Sequence, residues 1–164
     1  MGTRTGDIDP AVVFHLQRVA GMSVDEVDTL FNKKSGMKGM TGESDMRSVW
    51  EMIRNDDEPE AQQRARTAMD VYINRLLKYV GSYTAELGGL DVITFTAGIG
   101  ENDSDVRREL AEALAPFGVT IDVDANKARS GEPRIISTPD STVTLVVFPT
   151  NEELAIARQA LTFA

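Results

Sequence analysis

The sequence predicts an α/β fold in which helices flank a central, mostly parallel sheet. This prediction rests on the second half of the chain, where a short β-branched, apolar segment is twice followed by a turn and a helical pattern. The first of these units starts with VITFT at 92–96, and the second starts with TVTLVVF at 142–148. The length of 164 residues predicts one domain, spanning residues 1–164.

The first two helices are predicted from residues at their ends. Asp9 followed by Pro10 indicates a helix start, because aspartate accepts hydrogen bonds from free amides and proline suits the first helical position. Gly21 is typical of the residue that ends such a helix. Ser23 and Glu26 have the spacing of a capping box, which predicts that a second helix follows.

The remainder of the first half contains a predicted loop and two further helices. Residues 35–45 are rich in glycine and predict a loop. Helical spacing of apolar residues resumes with Val49 and Met52. A longer pattern predicts a helix over about 59–87, with an apolar stripe that runs from Ala65 to Tyr83.

In the second half, the segment at 92–96 is predicted to be a buried strand. AGIGEN at 97–102 predicts a turn or loop, and residues 103–114 predict a helix with acidic residues in its first turn. Strands are expected at 134–137 and 142–148, and the second of these is expected to be central because its residues are mostly apolar. A final helix is predicted after the last strand.

Composition and charge exclude several classes of function. Lysine and arginine number 17 and aspartate and glutamate 26, so the formal charge is −9, which argues against a nucleic-acid-binding protein. There is no cysteine, which excludes disulfides, thiolate nucleophiles and cysteine zinc sites. The only histidine, His15, is expected to pack within a helix.

No apolar run approaches the ~20 residues that span a bilayer. The N-terminal segment MGTRTGDIDP lacks the apolar region of a signal peptide. We therefore expect a cytoplasmic protein with no membrane partner.

A glycine-containing segment between a strand and a helix is the first candidate for chemistry. Its members are Gly98, Ile99, Gly100, Glu101 and Asn102. Glycines allow the backbone to approach a ligand closely, and the following helix offers free N–H groups to an anion. The alternative is a tight turn that needs positive φ angles, and the residues alone leave both interpretations open.

Three charged residues are further candidates. Glu152 lies at the start of a helix that follows a strand, where it could stabilise the helix dipole or hold Mg²⁺. Arg4 and Arg47 stand in or beside glycine-containing segments. Each could bind phosphate or carboxylate, or be an ordinary surface charge.

Six segments, in order along the chain, resemble the C-terminal part of the acetate kinases. They are MGTRTGDIDP, EVDTLFNKKSG, SDMR, ITFTAGIGEN, ISTPDS and PTNEELAIA. The resemblance implies a ribonuclease-H-like, actin-like ATPase fold and the nucleotide-binding C-terminal domain of that family. It also implies a homodimer and Mg²⁺-dependent phosphoryl transfer between ATP and acetate, which gives ADP and acetyl phosphate.

The resemblance also implies roles for individual residues. Arg4 matches the arginine that stabilises the transition state, and Glu152 matches a magnesium ligand. The residues that match nucleotide contacts are Asp45, Met46 and Arg47, together with the segment from Gly98 to Asn102.

Several parts of a complete acetate kinase do not occur in this sequence. They include the catalytic aspartate, the substrate arginine, the active-site histidine, the first magnesium-site asparagine and the first phosphate loop. We therefore expect the chain alone to be inactive. Two alternatives remain: a non-catalytic nucleotide-binding or dimerisation module, and part of a propionate or butyrate kinase.

Overall fold

The computed structural model describes residues 1–163, and the chain forms two compact units. The first unit is Met1–Asn74, and the second begins at Arg75. Helices are the only regular elements of the first unit, whereas the second combines a small sheet with short helices.

The first unit contains four complete helices and no strand, and a fifth helix begins in it. Their bounds are α1 Ala11–Val19, α2 Val24–Lys33, α3 Gly36–Thr41, α4 Met46–Asn55 and α5 Pro59–Leu87. The predicted start of α1 is confirmed to within one residue, since the Asp9 carboxylate accepts from Ala11 N at 2.8 Å. The capping box is also confirmed, because the Ser23 side chain accepts from Glu26 N and the Glu26 carboxylate accepts from Ser23 N.

The predicted loop at 35–45 was wrong, because it contains helix α3. The first amides of this helix have acceptors outside it: Met37 N donates to Met1 O at 3.0 Å, and Lys38 N donates to Gly2 O at 2.9 Å. A helix start normally leaves such N–H groups without partners. The N-terminal segment supplies them here, so the glycine-rich stretch can be helical.

Helix α5 has the bounds that its apolar pattern predicted, although the stripe is buried only as far as Ile73 and Tyr83 is exposed. The indole ring of Trp50 in α4 is buried, with the guanidinium groups of Arg54 and Arg66 5.5 and 5.7 Å from its centre. The buried apolar side chains of this unit are Val27, Met37, Met46, Val49, Trp50, Ala61, Ala65, Ala68, Met69 and Ile73.

Between the end of α5 and residue 163, the second unit contains three strands, four helices and two short 3₁₀ helices. The strands are β1 Val92–Phe95, β2 Arg134–Ile135 and β3 Thr144–Val147. The helices are α6 Ala97–Asn102, α7 Ser104–Ala113, α8 Val123–Lys127 and α9 Glu152–Ala160, and the 3₁₀ helices are Ala115–Phe117 and Leu161–Phe163.

The sheet has the order β1-β3-β2, so β3 is central as its apolar composition predicted. Strands β1 and β3 are parallel over four residue pairs, from Val92 with Thr144 to Phe95 with Val147. The shorter β2 is antiparallel to β3. The buried apolar side chains of this unit are Phe95, Val106, Leu110, Ala111, Leu114, Val119, Ile136, Val143, Leu145 and Val147.

Strand β1 is less buried than the sequence predicted. It lies at the edge of the sheet formed by residues 1–163, Val92 is 52% exposed, and only Phe95 is buried. The residue types of a segment indicate that it can form a strand, but they do not show which other elements cover its faces or its free edge. Within the described chain, no helix is both long and apolar enough to cross a membrane.

Candidate functional site

The parallel pairing of β1 and β3 brings two of the predicted segments to one edge of the sheet. The segment 97–102 follows β1, and the segment 148–152 follows β3. Phe148 N donates to Phe95 O at 2.8 Å, which continues the pairing beyond the strands. In open α/β sheets this carboxyl edge is where ligands bind.

The segment 97–102, predicted to be a turn or loop, is helix α6, so the prediction of its local structure was wrong. The side chain of the N-cap residue, Thr96, does not cap this helix. Instead, the carboxylate of Glu101, from within the helix, accepts from Ala97 N at 2.9 Å. This internal cap stabilises a helix that residue types alone did not indicate.

The two glycines of α6 have different surroundings, and neither has a positive φ. The positive φ of this segment belongs to Ala97, at 60°, so a turn that required glycine for that reason is excluded. A Cβ on Gly100 would lie 3.1 Å from the carbonyl carbon of Phe95, whereas a Cβ on Gly98 would meet nothing within 4 Å. Gly100 therefore serves close packing, and Gly98 faces open space.

Glu101 also connects the two strand ends. Its Oε1 accepts from Thr150 N at 2.9 Å and from the Thr150 hydroxyl at 3.0 Å. These contacts, the backbone N–H first, hold the pKa of the Glu101 carboxyl below its usual value. Glu101 was predicted only as a nucleotide contact, because Thr150 is 49 positions away and no local pattern indicates the connection.

Other residues of α6 face solvent or hold the helix. Ile99 is exposed, and the side-chain amide of Asn102 donates to Gly98 O at 2.9 Å.

Arg107, on α7, was not predicted as a functional residue. It stands among apolar residues on the buried face of that helix, with Leu110 and Ala111, and this position in the helical pattern was the available signal.

Glu152 is the first residue of α9 and is exposed. The side chain of Asn151 caps the helix by accepting from Leu154 N at 2.9 Å, so the Glu152 carboxylate is not the cap. No group of three or more histidine, aspartate or glutamate side chains within residues 1–163 could hold a metal ion. A Mg²⁺ ion at Glu152 would therefore depend on water and phosphate oxygens, which suits its preference for few protein ligands.

In the first unit, Arg4 is exposed on a segment whose backbone is fixed by α2 and α3. Thr5 N donates to Phe31 O at 3.0 Å, and Ser35 N donates to Thr3 O at 2.9 Å. Gly36 has a φ of +60°, and a Cβ there would lie 2.3 Å from Met1 O and 2.8 Å from Arg4 O. The close packing therefore fixes the backbone of Arg4 while its side chain faces solvent.

The other predicted residues of this unit stand at the start of α4. Asp45 caps the helix by accepting from Arg47 N at 2.9 Å, and the Arg47 guanidinium binds the same carboxylate, with Nη2 2.5 Å from Oδ2. These contacts, the side-chain hydrogen bond first, lower the pKa of Asp45 to about 2. Met46 is buried in the core of this unit, whereas the Arg47 side chain is 91% exposed.

An open groove of about 630 Å³ lies beside Arg47. Its walls include Glu43, Glu51 and Asp56. The negative charges of these three side chains would repel a phosphate group, so the groove is better suited to an uncharged part of a ligand.

Comparison with known proteins identifies relatives of the whole described chain. The model of the acetokinase family matches residues 1–158. The acetate kinase of Corynebacterium aurimucosum is 52% identical over 160 residues, which are 98% of this chain and 38% of that protein. The crystal structure of Porphyromonas gingivalis acetate kinase has a TM-score of 0.86 at 40% identity, covering 99% of this chain and 40% of that one.

A propionate kinase is also similar. Its crystal structure, from Francisella tularensis, has a TM-score of 0.84 at 36% identity, covering 96% of this chain and 38% of that one. The chain thus spans about 40% of the length of the relatives that it matches. These likenesses confirm the predicted α/β class with an actin-like ATPase fold.

Proposed function

The chain belongs to the acetokinase family, and we propose that it is the nucleotide-binding part of an acetate kinase. The complete protein would transfer a phosphoryl group between ATP and acetate with Mg²⁺, giving ADP and acetyl phosphate. Such transfer depends on positioning and charge neutralisation more than on covalent chemistry by the protein. The observation that carries the proposal is the common strand edge that holds α6 and Glu152.

Each candidate residue has a role in this proposal. The segment from Gly98 to Asn102 contacts the nucleotide, and its open side at Gly98 gives the ligand room to approach the backbone. Glu152 contributes one carboxylate to Mg²⁺. Asp45, Met46 and Arg47 contact the base and ribose, Met46 through its backbone since its side chain is buried, and Arg4 stabilises the transition state.

The carboxylic acid substrate is a separate part of the proposal. Acetate is favoured because relatives at 51–53% identity are acetate kinases. The solved structures do not separate the two substrates, since acetate kinases are 34% and 40% identical and the propionate kinase is 36% identical. Comparison of acetate and propionate as substrates of the complete protein tests this assignment. A higher kcat/KM for propionate would contradict it.

We expect the 164-residue chain alone not to make acetyl phosphate at an enzymatic rate. Loss of substrate positioning can remove ~7–11 kcal/mol of barrier lowering. A hydroxamate assay of the purified chain with acetate and Mg-ATP measures the product. A turnover within the usual range of ~1–10³ s⁻¹ would contradict this expectation.

Nucleotide binding by the chain is tested with Gly98→Val. Gly131→Val is the matched control, because both glycines lack a positive φ and a Cβ on either would meet nothing within 4 Å. We expect Mg-ADP to shift the NMR signals of residues 97–102 in the wild type, with a Kd of ~1 mM. Gly98→Val should weaken this binding, and Gly131→Val should not.

Two results would contradict the proposed site. One is equal affinity of the wild type and the folded Gly98→Val variant. The other is the absence of saturable shifts in the wild type. Binding without acetyl phosphate formation by the complete protein would instead favour the non-catalytic module.

We also propose that the chain forms a homodimer. The last turns of α5 expose Tyr79, Tyr83 and Leu87, and the two tyrosine rings lie 6.2 Å apart. Exposed aromatic groups of this kind are common at protein interfaces. Light scattering should give twice the monomer mass, and a mass near 17.9 kDa at all micromolar concentrations would contradict the dimer.

A further inference from the structure

Arg107 is a buried cation whose hydrogen bonds end on amide oxygens. Only 2% of its surface is exposed. Its Nη1 donates to Gly100 O at 2.8 Å and to Glu101 O at 2.9 Å, the carbonyl groups at the end of α6. Its Nε and Nη2 donate to the side-chain and backbone oxygens of Asn126, both at 2.7 Å.

Asn126 is itself held in place, so the guanidinium has a fixed frame. Asn126 is 98% buried, and its side-chain amide donates to Ser104 O at 2.9 Å. Its backbone N–H donates to Asp122 O at 2.9 Å in the first turn of α8. The planar, multidentate guanidinium thus connects α8 to the end of α6, which a single ammonium group could not do.

Stability alone is a poor reason for a cation at this position. Arg107 stands on the apolar face of α7, and burial lowers its pKa, which reflects the cost of removing the charge from water. Within residues 1–163, none of its hydrogen-bond acceptors is a carboxylate, so no ion pair offsets that cost. What an apolar side chain could not supply is hydrogen bonding to the last carbonyl groups of α6, which have no partner within the helix.

We infer that Arg107 is a positioning residue for the proposed nucleotide site. By fixing the peptide groups of Gly100 and Glu101, it holds α6 against the strand end. It thereby keeps the Glu101 side chain directed to Ala97 N and to Thr150. Arg107 itself does not contact the ligand. The inference rests on the proposed function, because the segment that Arg107 holds is the proposed nucleotide contact.

The test compares Arg107→Met and Arg107→Lys with Arg108→Met in the 164-residue chain. Arg108 is the matched control, since it is the next residue of α7 and its partner Glu112 lies at the surface, with Nη1 to Oε1 at 3.0 Å. Amide hydrogen exchange is measured by NMR. Both Arg107 variants should increase exchange at residues 100–102 by about tenfold or more while leaving α2 and the buried part of α7 protected.

Chemical rescue separates positioning from a general structural role. Methylguanidinium added to Arg107→Ala should restore the wild-type exchange rates and signals of α6, because it can supply the missing donors. Wild-type exchange in Arg107→Lys would overturn the inference, since charge alone would then suffice. Loss of protection throughout the second unit, or failure of both Arg107→Met and Arg107→Lys to fold, would also overturn it, by showing a role in the whole fold.

Mg-ADP titration then measures the consequence for binding. The apparent Kd of both Arg107 variants should rise by about tenfold, the low end of the loss that follows replacement of residues that orient the ligands of a metal ion. An unchanged Kd despite a loosened α6 would overturn the inference. If the wild type shows no saturable binding, the proposed function fails for this chain, whereas hydrogen exchange still decides whether Arg107 positions α6.

Discussion

Substitution of Gly36 by alanine tests how the fold positions Arg4. Gly36 has a φ of +60°, and the new Cβ would lie 2.3 Å from Met1 O and 2.8 Å from Arg4 O. Both neighbours are backbone atoms, so no side chain can rotate away to make room. The N-terminal segment must therefore leave its place on α3.

The expected loss in the free energy of unfolding has two parts. An alanine in the left-handed region costs about 1–2 kcal/mol. Displacement of the segment also breaks the hydrogen bonds from the amides of Ser35, Met37 and Lys38 to residues 1–3. Each of these contributes about 0.5–1.5 kcal/mol. The free energy of unfolding should fall by about 3–6 kcal/mol, a large part of an ordinary domain's stability.

Gly42→Ala is the matched control for the backbone strain. Gly42 also has a positive φ, +87°, but a Cβ there would meet nothing within 4 Å. It should therefore lose only about 1–2 kcal/mol. Urea unfolding is followed by the fluorescence of Trp50, the only tryptophan, which is buried in the same unit. Equal losses, within about 0.5 kcal/mol, would refute the view that close packing at Gly36 fixes the Arg4 segment.

Three further predictions concern packing and charge. Gly100→Ala should lower the free energy of unfolding by about 1–3 kcal/mol, because the new Cβ would lie 3.1 Å from the β1 backbone. Gly98→Ala should be tolerated, since a Cβ there meets nothing within 4 Å. A larger loss for Gly98→Ala than for Gly100→Ala would contradict this packing. Leu145→Ala should cost about 2–5 kcal/mol in urea unfolding, and a loss under about 1 kcal/mol would show that β3 is not a packed core strand. The Asp45 pKa of about 2 lies below its ordinary 3.8, so the stability that this carboxylate contributes is present above pH 3.8 and is lost as the pH falls through about 2. Arg47→Ala should raise that pKa towards 3.8 in a carbon-detected NMR titration, and an unchanged pKa would exclude Arg47 as its cause.

Local patterns predicted the elements whose stability depends on neighbouring residues. The capping box at Ser23, the long helix α5 and the apolar strand β3 all stand where the sequence placed them. The strand–turn–helix order also predicted that Gly98 and Glu152 would each follow a strand of a mostly parallel sheet, and in the structure those two strands are parallel neighbours. In each of these cases, the residues that predict the element are the same residues that form it.

Helices α3 and α6 were missed because the groups that complete them are not given by helical periodicity. Helix α3 needs carbonyl groups from residues 1 and 2, more than 30 positions earlier. Helix α6 needs the Glu101 carboxylate to reach back to its first amide. In both segments glycine weakens helix propensity, and tertiary or side-chain hydrogen bonds compensate.

The sequence by itself determined the family, the α/β class and the identity of the candidate site residues, because long motifs and apolar periodicity are written along the chain. Only the tertiary structure decided how those residues are held. Arg107 reaches Asn126 across 19 positions, and Glu101 reaches Thr150 across 49. A hydrogen bond between distant residues depends on where the fold brings their atoms, and one-dimensional spacing carries no measure of that distance.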